Sequence, residues 1–241
     1  PADGYTLLLA DAAFTINSSY YTKQAHYDAL KSFAPVALIA DTPYLLMAHP
    51  GVPAATRKDF IALAKAQPGK INVGSSGNGS GSHLVGELFK LKAGVNLNHI
   101  PYKGAGPSTA DVMAGQIQAT FAGAAGVVAF VKSGRLKALV AASAKRTALL
   151  PDVPTFVESG FPDMVVTNWY GIVVPIKTPQ NIVQRLNAEI VRVLTAPDTK
   201  TALFNQGLDA APSTSQEFGT FMRAEAIKWA KVVKSVGITA D

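Results

Sequence analysis

Cysteine is absent from the 241 residues, which excludes a disulfide framework, a thiol nucleophile and cysteine-ligated zinc. Long apolar runs are also missing, since none reaches the roughly 18–20 residues that a membrane-spanning helix needs. We therefore expect a protein that is not inserted in a membrane. Charged residues are sparse, at 16%, but hydrophobic residues make up 48% of the chain, a composition typical of a folded core rather than of disorder.

The charge balance favours anionic partners. Lysine and arginine number 22 against 16 acidic residues, which leaves a formal net charge of +6. These basic residues are scattered along the chain and form no run with interleaved aromatic residues. We therefore expect a small anion as the ligand and no nucleic-acid partner.

Short apolar runs alternate with segments of helical periodicity, which predicts an α/β protein built from βαβ units with a mainly parallel sheet. Separate strands are predicted over 34–40 and 43–50, and a helix over 80–92. The pattern of predicted elements changes after Pro151, where proline-rich turns precede a long strand and several helices. The simplest architecture has two α/β lobes, one formed by 1–48 with 166–241 and the other by 49–165.

A glycine- and serine-rich segment stands between a predicted strand and a predicted helix. Residues 74–83 contain four glycines, four serines and His83. Amide groups at a helix N-terminus are unsatisfied and lie at the positive end of the helix dipole, so such a segment suits a carboxylate or phosphate. An ordinary polar loop, with Ser80 or Ser82 as the helix cap, explains the same residues without a ligand. The candidate binding residues here are Ser75, Ser76, Gly77, Asn78, Gly79, Ser82 and His83.

Nucleotide-binding fingerprints are not present in this segment. Ser82 stands where a dinucleotide fingerprint starting at Gly77 requires glycine, and no P-loop lysine follows Gly79. A Gly-x-Ser-x-Gly motif is also missing, which weakens a serine hydrolase interpretation. We expect no nucleotide cofactor and, more generally, no cofactor.

A second strand-to-helix transition repeats the pattern. The strand ending "NHIPY" leads through Tyr102, Lys103 and Gly104 to a helix predicted to begin at Pro107. Lys103 could neutralise an anion or could be a solvated charge, and Tyr102 could stack on a ligand or be partly buried. Loops that follow adjacent parallel strands lie on the same edge of a sheet, so the two transitions together favour a binding cleft.

Residues 11–15 follow another strand and are expected at the same cleft from the other lobe, with Ala13, Phe14 and Thr15 as candidates. For Phe14, contact with the apolar part of a ligand and a place in the core are equally compatible with the pattern. His83 and Glu87 share a helical face, but no third ligand has helical spacing, so we expect no metal site. His99 stands beside a strand and is expected to be structural.

Several motifs in their order along the chain resemble the Bug-type extracytoplasmic solute receptors, the binding components of tripartite tricarboxylate transporters. The motifs are "ADGYTLLLADAAFTIN", "NVGSSGNGSGSHLVGELFKLKAGV", "HIPYKGAGPSTADVMAGQIQATF" and "WYGIVVPIKTP". The resemblance covers essentially the whole chain. It implies a two-lobed periplasmic binding protein of type II, the Venus flytrap class, which closes by a hinge on a small organic carboxylate.

The resemblance also implies where the protein works and with what. It implies a periplasmic receptor without catalytic residues or a metal, with membrane transporter subunits as partners. The family's ligand loops correspond here to Ala13–Thr15, Ser75–His83 and Tyr102–Gly104. The alternative from another class is an α/β hydrolase-like enzyme that pairs Ser76 or Ser82 with His83.

Two departures from the family pattern bear on these expectations. Family members begin with a strand and a Pro/Gly-rich loop that do not occur here, so the first lobe is expected to be incomplete at its N-terminus. An aspartate usually follows the strand that corresponds to "QATF", where this chain has Ala122 and Gly123. A ligand ammonium would lack a partner there, which favours a plain carboxylate or a small aromatic acid over an amino acid.

Overall fold

A computed structural model describes residues 1–21, 23 and 27–239. In these residues the strands are β1 (Leu8–Asp11), β2 (Phe33–Ala48), β3 (Asn72–Ser75), β4 (Asn98–Pro101), β5 (Ala119–Gly123), β6 (Lys137–Ala141), β7 (Thr167–Pro175) and β8 (Asp209–Ala210). The helices are α1 (Ala12–Tyr20), α2 (Arg57–Ala66), α3 (Gly81–Ala93), α4 (Ala105–Met113), α5 (Val128–Lys132), α6 (Gln180–Thr195), α7 (Pro197–Asn205) and α8 (Ser215–Val236). The chain is therefore an α/β protein, as the sequence predicts.

The chain forms two compact units. Unit 1 comprises Pro1–Thr42 and Asn168–Asp241, and unit 2 comprises Pro43–Thr167. The sequence places the two crossings after residue 48 and before residue 166. In the structure the first crossing comes earlier, within β2.

Strand β2 is continuous, so the prediction of two separate strands over 34–40 and 43–50 is wrong. Asp41 pairs with Asp209 of β8, whereas Tyr44 pairs with Gly123 of β5. Pro43 stands between these two ladders, where its missing N–H removes no ladder hydrogen bond. A proline that reads as a strand break in sequence is tolerated because the strand changes neighbours there.

The sheets are mixed, so the prediction of a mainly parallel sheet is also wrong. In unit 2, β3 runs parallel to β4 and β5, but β2 runs antiparallel to β5 and β6. In unit 1, β1 is antiparallel to β7 and β8 is antiparallel to β2. Strand direction depends on which strands pair, and the alternation of strands and helices along the sequence does not determine it.

The core of unit 1 lies where α8 packs against α1 and the sheet. Trp169, Phe218 and Trp229 are fully buried there. Helix α8 begins with a capping box, in which the hydroxyl of Thr214 accepts the Glu217 amide and the Glu217 carboxylate accepts the Thr214 amide. Among the residues that the structure describes, no helix combines the length and the apolar character needed to cross a membrane.

In unit 2, aromatic rings pack helix α3 against the sheet. Phe89 of α3 lies 5.7 Å, between ring centroids, from both Phe121 of β5 and Phe156. Leu84, Val85 and Phe89 of α3 are buried, which fixes the helix on the sheet and with it the glycine-rich segment before the helix.

Candidate ligand-binding site

The two predicted loops of unit 2 lie side by side. Strands β3 and β4 are parallel neighbours with Ser75 opposite Pro101. Beyond the strands, the Tyr102 amide donates to the Ser75 carbonyl at 3.1 Å, and the Gly104 amide donates to the Ser76 carbonyl at 3.0 Å. The prediction that the two strand-to-helix transitions meet at one edge of the sheet is confirmed.

Most amides of the first loop are already bound by side chains of the same segment. The Ser76 amide donates to Ser82 Oγ at 2.9 Å, the Gly77 amide to Ser75 Oγ at 3.1 Å, and the Gly79 amide to His83 Nδ1 at 3.2 Å. The prediction that these three amides are open to an anion is wrong. Serine and histidine side chains supply the acceptors that a ligand would otherwise supply.

Ser80 is the N-cap of α3, one of the two serines that the sequence proposes for this role. Its hydroxyl accepts the His83 amide at 3.3 Å and donates to the Gly77 carbonyl at 2.7 Å. Ser82 turns back to the loop instead, where its hydroxyl lies 3.2 Å from Ser76 Oγ. In the described residues the amides of Gly81 and Ser82, in the first turn of α3, have no acceptor.

The predicted residues of this loop differ in how accessible they are. Ser75 is 1% exposed and Ser82 is 2% exposed, and Gly79 and His83 are also buried. Ser76 and Gly77 are half-buried, and Asn78 is exposed. The tip at 76–78 is therefore the part of the loop that can meet a ligand in this conformation, and the other residues support it.

His83 forms a stacked pair with His99 of β4. The ring centroids lie 4.1 Å apart with an interplanar angle of 14°. Burial, reinforced by electrostatic interaction with His99 and Lys90, lowers the pKa of His83 to about 3. Burial also lowers the pKa of His99, an effect that Glu87 opposes and Lys90 reinforces. Both rings are therefore neutral near pH 7.

These properties make His83 unsuitable as the base of a hydrolase. Its Nδ1 is taken by the Gly79 amide, and a base whose pKa is about 3 has little affinity for a proton. Ser82, the adjacent candidate nucleophile, is 2% exposed and bound to the loop. The structure gives the Ser/His alternative no support.

The start of α4 carries open donors that are also exposed. Its N-cap is Gly104, with φ of 112°, and no side chain caps the helix. The exposed amides of Ala105 and Gly106 donate to no acceptor in the described part of the chain, and Lys103 beside them is exposed. A helix N-terminus with a neighbouring cation favours an anion.

The sequence pattern indicates Lys103 and Gly104 but misses Ala105 and Gly106. The reason is that Pro107 is the third residue of α4 and not the first. A proline is tolerated throughout the first turn, where its N–H would be unsatisfied. Gly104, which has a positive φ and precedes the helix, is the signal that could have corrected the boundary.

Tyr102 uses its hydroxyl within unit 2. It donates to Asp111 Oδ2 at 2.7 Å. Burial of the ring, reinforced by the hydrogen bond to the Asp111 carboxylate and by its charge, raises the pKa of Tyr102 to about 12. The hydroxyl proton is committed to Asp111, so Tyr102 offers a ligand no free hydroxyl donor.

The candidates in unit 1 occupy a helix start that the chain caps by itself. The Ala13 amide donates to Asp11 Oδ1 at 3.0 Å, so a carboxylate of the chain already lies at the N-terminus of α1. Phe14 is 6% exposed and stacks on Tyr27 with 5.3 Å between ring centroids. Thr15 is fully buried and its hydroxyl donates to the Ala12 carbonyl. The geometry favours the core interpretation of Phe14, and the burial of Thr15 leaves its side chain no access to a ligand in this conformation.

Neither unit contains a recognisable metal centre in its described residues, because no three histidine, aspartate or glutamate side chains there come together in a way that could hold an ion. The chemistry that these elements offer is hydrogen bonding and charge, concentrated at the start of α4 and at the loop tip 76–78.

Comparison with known proteins by family model and by individual relatives gives the same family. Residues 1–238 match the family model described as "Tripartite tricarboxylate transporter family receptor". Protein BugT of Bordetella pertussis is 32% identical over 237 residues, which cover 98% of this chain and 73% of that protein.

Two similar structures were solved with a carboxylate. A protein of R. palustris with adipate has a TM-score of 0.94 and 30% identity, over 99% of this chain and 80% of that one. MatC from Rhodopseudomonas palustris with bound malate has a TM-score of 0.90 and 28% identity, over 97% of this chain and 80% of that one.

Proposed function

Because this chain belongs to the receptor family of the tripartite tricarboxylate transporters, we propose that it binds a small organic dicarboxylate. The two similar structures solved with adipate and malate, both dicarboxylates, support this ligand class. The receptor would hand the ligand to the membrane subunits of such a transporter. Its place of work would be the periplasm, as in the relatives described as periplasmic.

The single observation that carries the proposal within this molecule is the uncapped start of α4. Two exposed amides, from Ala105 and Gly106, point to no acceptor in the described chain, and Lys103 adds a positive charge. One carboxylate group, with two oxygens, can accept both amides at once. Hydrogen bonds to a charged acceptor stabilise a complex by about 1.5–3 kcal/mol each.

The neighbouring loop would supply further contacts from its tip. Ser76 and Asn78 carry neutral polar groups at 76–78, and Gly104 ties the two loops together through the Ser76 carbonyl. Neutral donors suit a ligand that must also be released. Release of an anion from neutral donors does not require separation of an ion pair. We assign binding alone to these residues, with no chemical step.

A calorimetric titration with adipate, malate, a monocarboxylate of equal length and a diamine tests the ligand class. We expect saturable binding of at least one dicarboxylate, weaker binding of the monocarboxylate and none of the diamine. A diamine that binds as well as the acids, or a protein that binds none of the acids, contradicts the proposal.

Ala105→Pro tests the assignment to α4. Proline is well tolerated at the first position of a helix and removes one N–H without a change in charge. We expect the dissociation constant to rise about tenfold, the equivalent of about 1.4 kcal/mol. Ala105→Ser keeps the N–H and is the matched control, with affinity within about threefold of wild type. Equal affinities of the proline and serine variants would remove α4 from the site.

A further inference from the structure

We propose that the stacked rings of His83 and His99 position the loop 76–79 in its ligand-binding shape. The inference rests on the proposed function, because it concerns the same loop, and it adds His99 as a positioning residue. Neither histidine needs to touch the ligand for this role.

The two rings hold opposite ends of the loop. His99 Nε2 lies 2.6 Å from Ser75 Oγ, the residue before the loop, and Ser75 Oγ in turn accepts the Gly77 amide at 3.1 Å. At the other end, His83 Nδ1 accepts the Gly79 amide at 3.2 Å. The contact between the rings, 4.1 Å between centroids, joins these two attachments into one unit.

The loop needs such attachments because its own backbone does not restrict it. Gly77 and Gly79 have φ values of 129° and 72°, in the region that favours glycine. Glycine loses more conformational freedom on ordering than any other residue, so a loop with two of them has many competing shapes. Side chains that are themselves held by packing reduce that number.

The attachment at Gly79 requires an unprotonated Nδ1 on His83. The proton of the neutral ring is then on Nε2, which lies 4.0 Å from Glu87 Oε1. In the described part of the chain, Glu87 and Lys90 of α3 are charged groups that face the pair, and these two form an ion pair at 2.9 Å. The other residues around the small cavity beside the rings carry no titratable group: Val73, Gly74, Ser82, Gly86, Leu97 and Phe121.

A catalytic role for the short Ser75–His99 contact is excluded by access. Ser75 is 1% exposed, and its hydroxyl already contacts the backbone of Gly77 on both sides, as acceptor and as donor. No substrate can reach it without rearrangement of the loop. The contact is therefore a means of holding the chain.

The test uses His99→Phe, which keeps a ring for stacking and removes the hydrogen bond, and His99→Gln, which restores a polar group near the position of Nε2. We expect His99→Phe to raise the dissociation constant for adipate and malate at least tenfold and to speed hydrogen exchange of the Gly79 amide at least tenfold. His99→Gln restores the hydrogen bond but not the stacking, so it should recover part of both effects and fall between His99→Phe and the wild type.

Ring spectra of the wild type add a readout that a purely structural role would not determine. Long-range ¹H–¹⁵N NMR should show His83 neutral, with its proton on Nε2, from pH 8 down to pH 5. A His83 ring protonated on Nδ1 within this range overturns the inference, and this measurement decides even where His99→Phe does not fold.

The remaining outcomes separate this inference from the proposed function. If the wild type binds neither acid, the proposed function fails, and the Gly79 exchange rates and ring spectra still decide whether the histidines hold the loop. If the wild type binds and His99→Phe binds equally well, positioning is refuted while the receptor function stands. Equal losses in the Phe and Gln variants also refute it.

Discussion

Ser82 Oγ accepts the backbone N–H of Ser76 at 2.9 Å, so the helix that follows the glycine-rich loop closes that loop with its own hydroxyl. The same oxygen lies 3.0 Å from Ser80 Oγ, the cap of the helix. An anion bound at this point would have to displace a contact that already exists. The loop is therefore held by hydrogen bonds within its own segment, and these donors are not free for a ligand.

Ser82→Ala should destabilise the protein because it removes this buried acceptor. Loss of a hydrogen bond that leaves a buried partner unsatisfied costs about 1–3 kcal/mol. We therefore expect the free energy of unfolding to decrease by about 1–2 kcal/mol. Urea denaturation followed by circular dichroism measures it. Ser133→Ala is the control, because the exposed Ser133 hydroxyl contacts only a local carbonyl; its effect should stay within about 0.5 kcal/mol. Similar losses in both variants would contradict the expected role of Ser82.

Asp209→Asn should stabilise unit 1 near neutral pH. Asp41 and Asp209 stand opposite each other between β2 and β8, and like charges in this arrangement repel. Burial, reinforced by Asp209, raises the pKa of Asp41 above its ordinary value of 3.8. Since Asp41 is partly exposed to solvent, screening limits the expected gain to about 0.5 kcal/mol.

The pH dependence of this gain follows from the direction of the shift. A carboxyl group with a raised pKa in the folded state destabilises the protein at pH values above that pKa, and the penalty disappears as the pH falls towards 3.8. Unfolding free energies of wild type and Asp209→Asn should therefore differ at pH 7 and converge near pH 4. A constant difference across this range would show that charge repulsion is not the cause.

The two tryptophans should respond differently to replacement by phenylalanine. Both are fully buried, but Trp229 Nε1 donates to Glu225 Oε2 at 3.0 Å, whereas Trp169 Nε1 has no acceptor among the described residues. Trp229→Phe removes one hydrogen-bond donor from the buried carboxylate of Glu225. Lys228 remains as the ion-pair partner of that carboxylate.

We expect Trp229→Phe to lower the free energy of unfolding by about 1 kcal/mol more than Trp169→Phe. Guanidinium denaturation followed by circular dichroism compares the two without relying on tryptophan emission. A larger loss for Trp169→Phe would mean that ring packing against Phe218 and Phe221, and not the hydrogen bond, dominates.

Several features of this protein follow from patterns in its amino-acid sequence. The order of the motifs predicts the receptor family, which the family match and the relatives confirm. The predicted helix over 80–92 is found at Gly81–Ala93 with Ser80 as its cap. Such features are local, because capping, glycine conformations and helical periodicity involve residues within a few positions of one another.

Other features do not follow from such patterns. The stacking of His83 on His99 and the bond between Ser75 and His99 join residues 16 and 24 positions apart, and nothing in the spacing of these residues indicates them. The direction of β2 relative to β5 and β6 likewise depends on which strands meet. The expected donors of Ser76 and Gly79 proved occupied because their acceptors, Ser82 and His83, come from the next helix, and the Gly77 amide is bound by the Ser75 hydroxyl.

Short-range patterns in the chain are sufficient for the family, the α/β class and the two strand-to-helix loops that lie together after β3 and β4. Apolar, capping and glycine residues act on their immediate neighbours, so their effect can be predicted from the order of residues. Which amides remain open depends on the complete fold, because an amide is available to a ligand only after every neighbouring acceptor has been placed. In the described residues the open amides of Ala105 and Gly106 at the start of α4 are exposed, whereas those of Gly81 and Ser82 in the glycine-rich segment are buried.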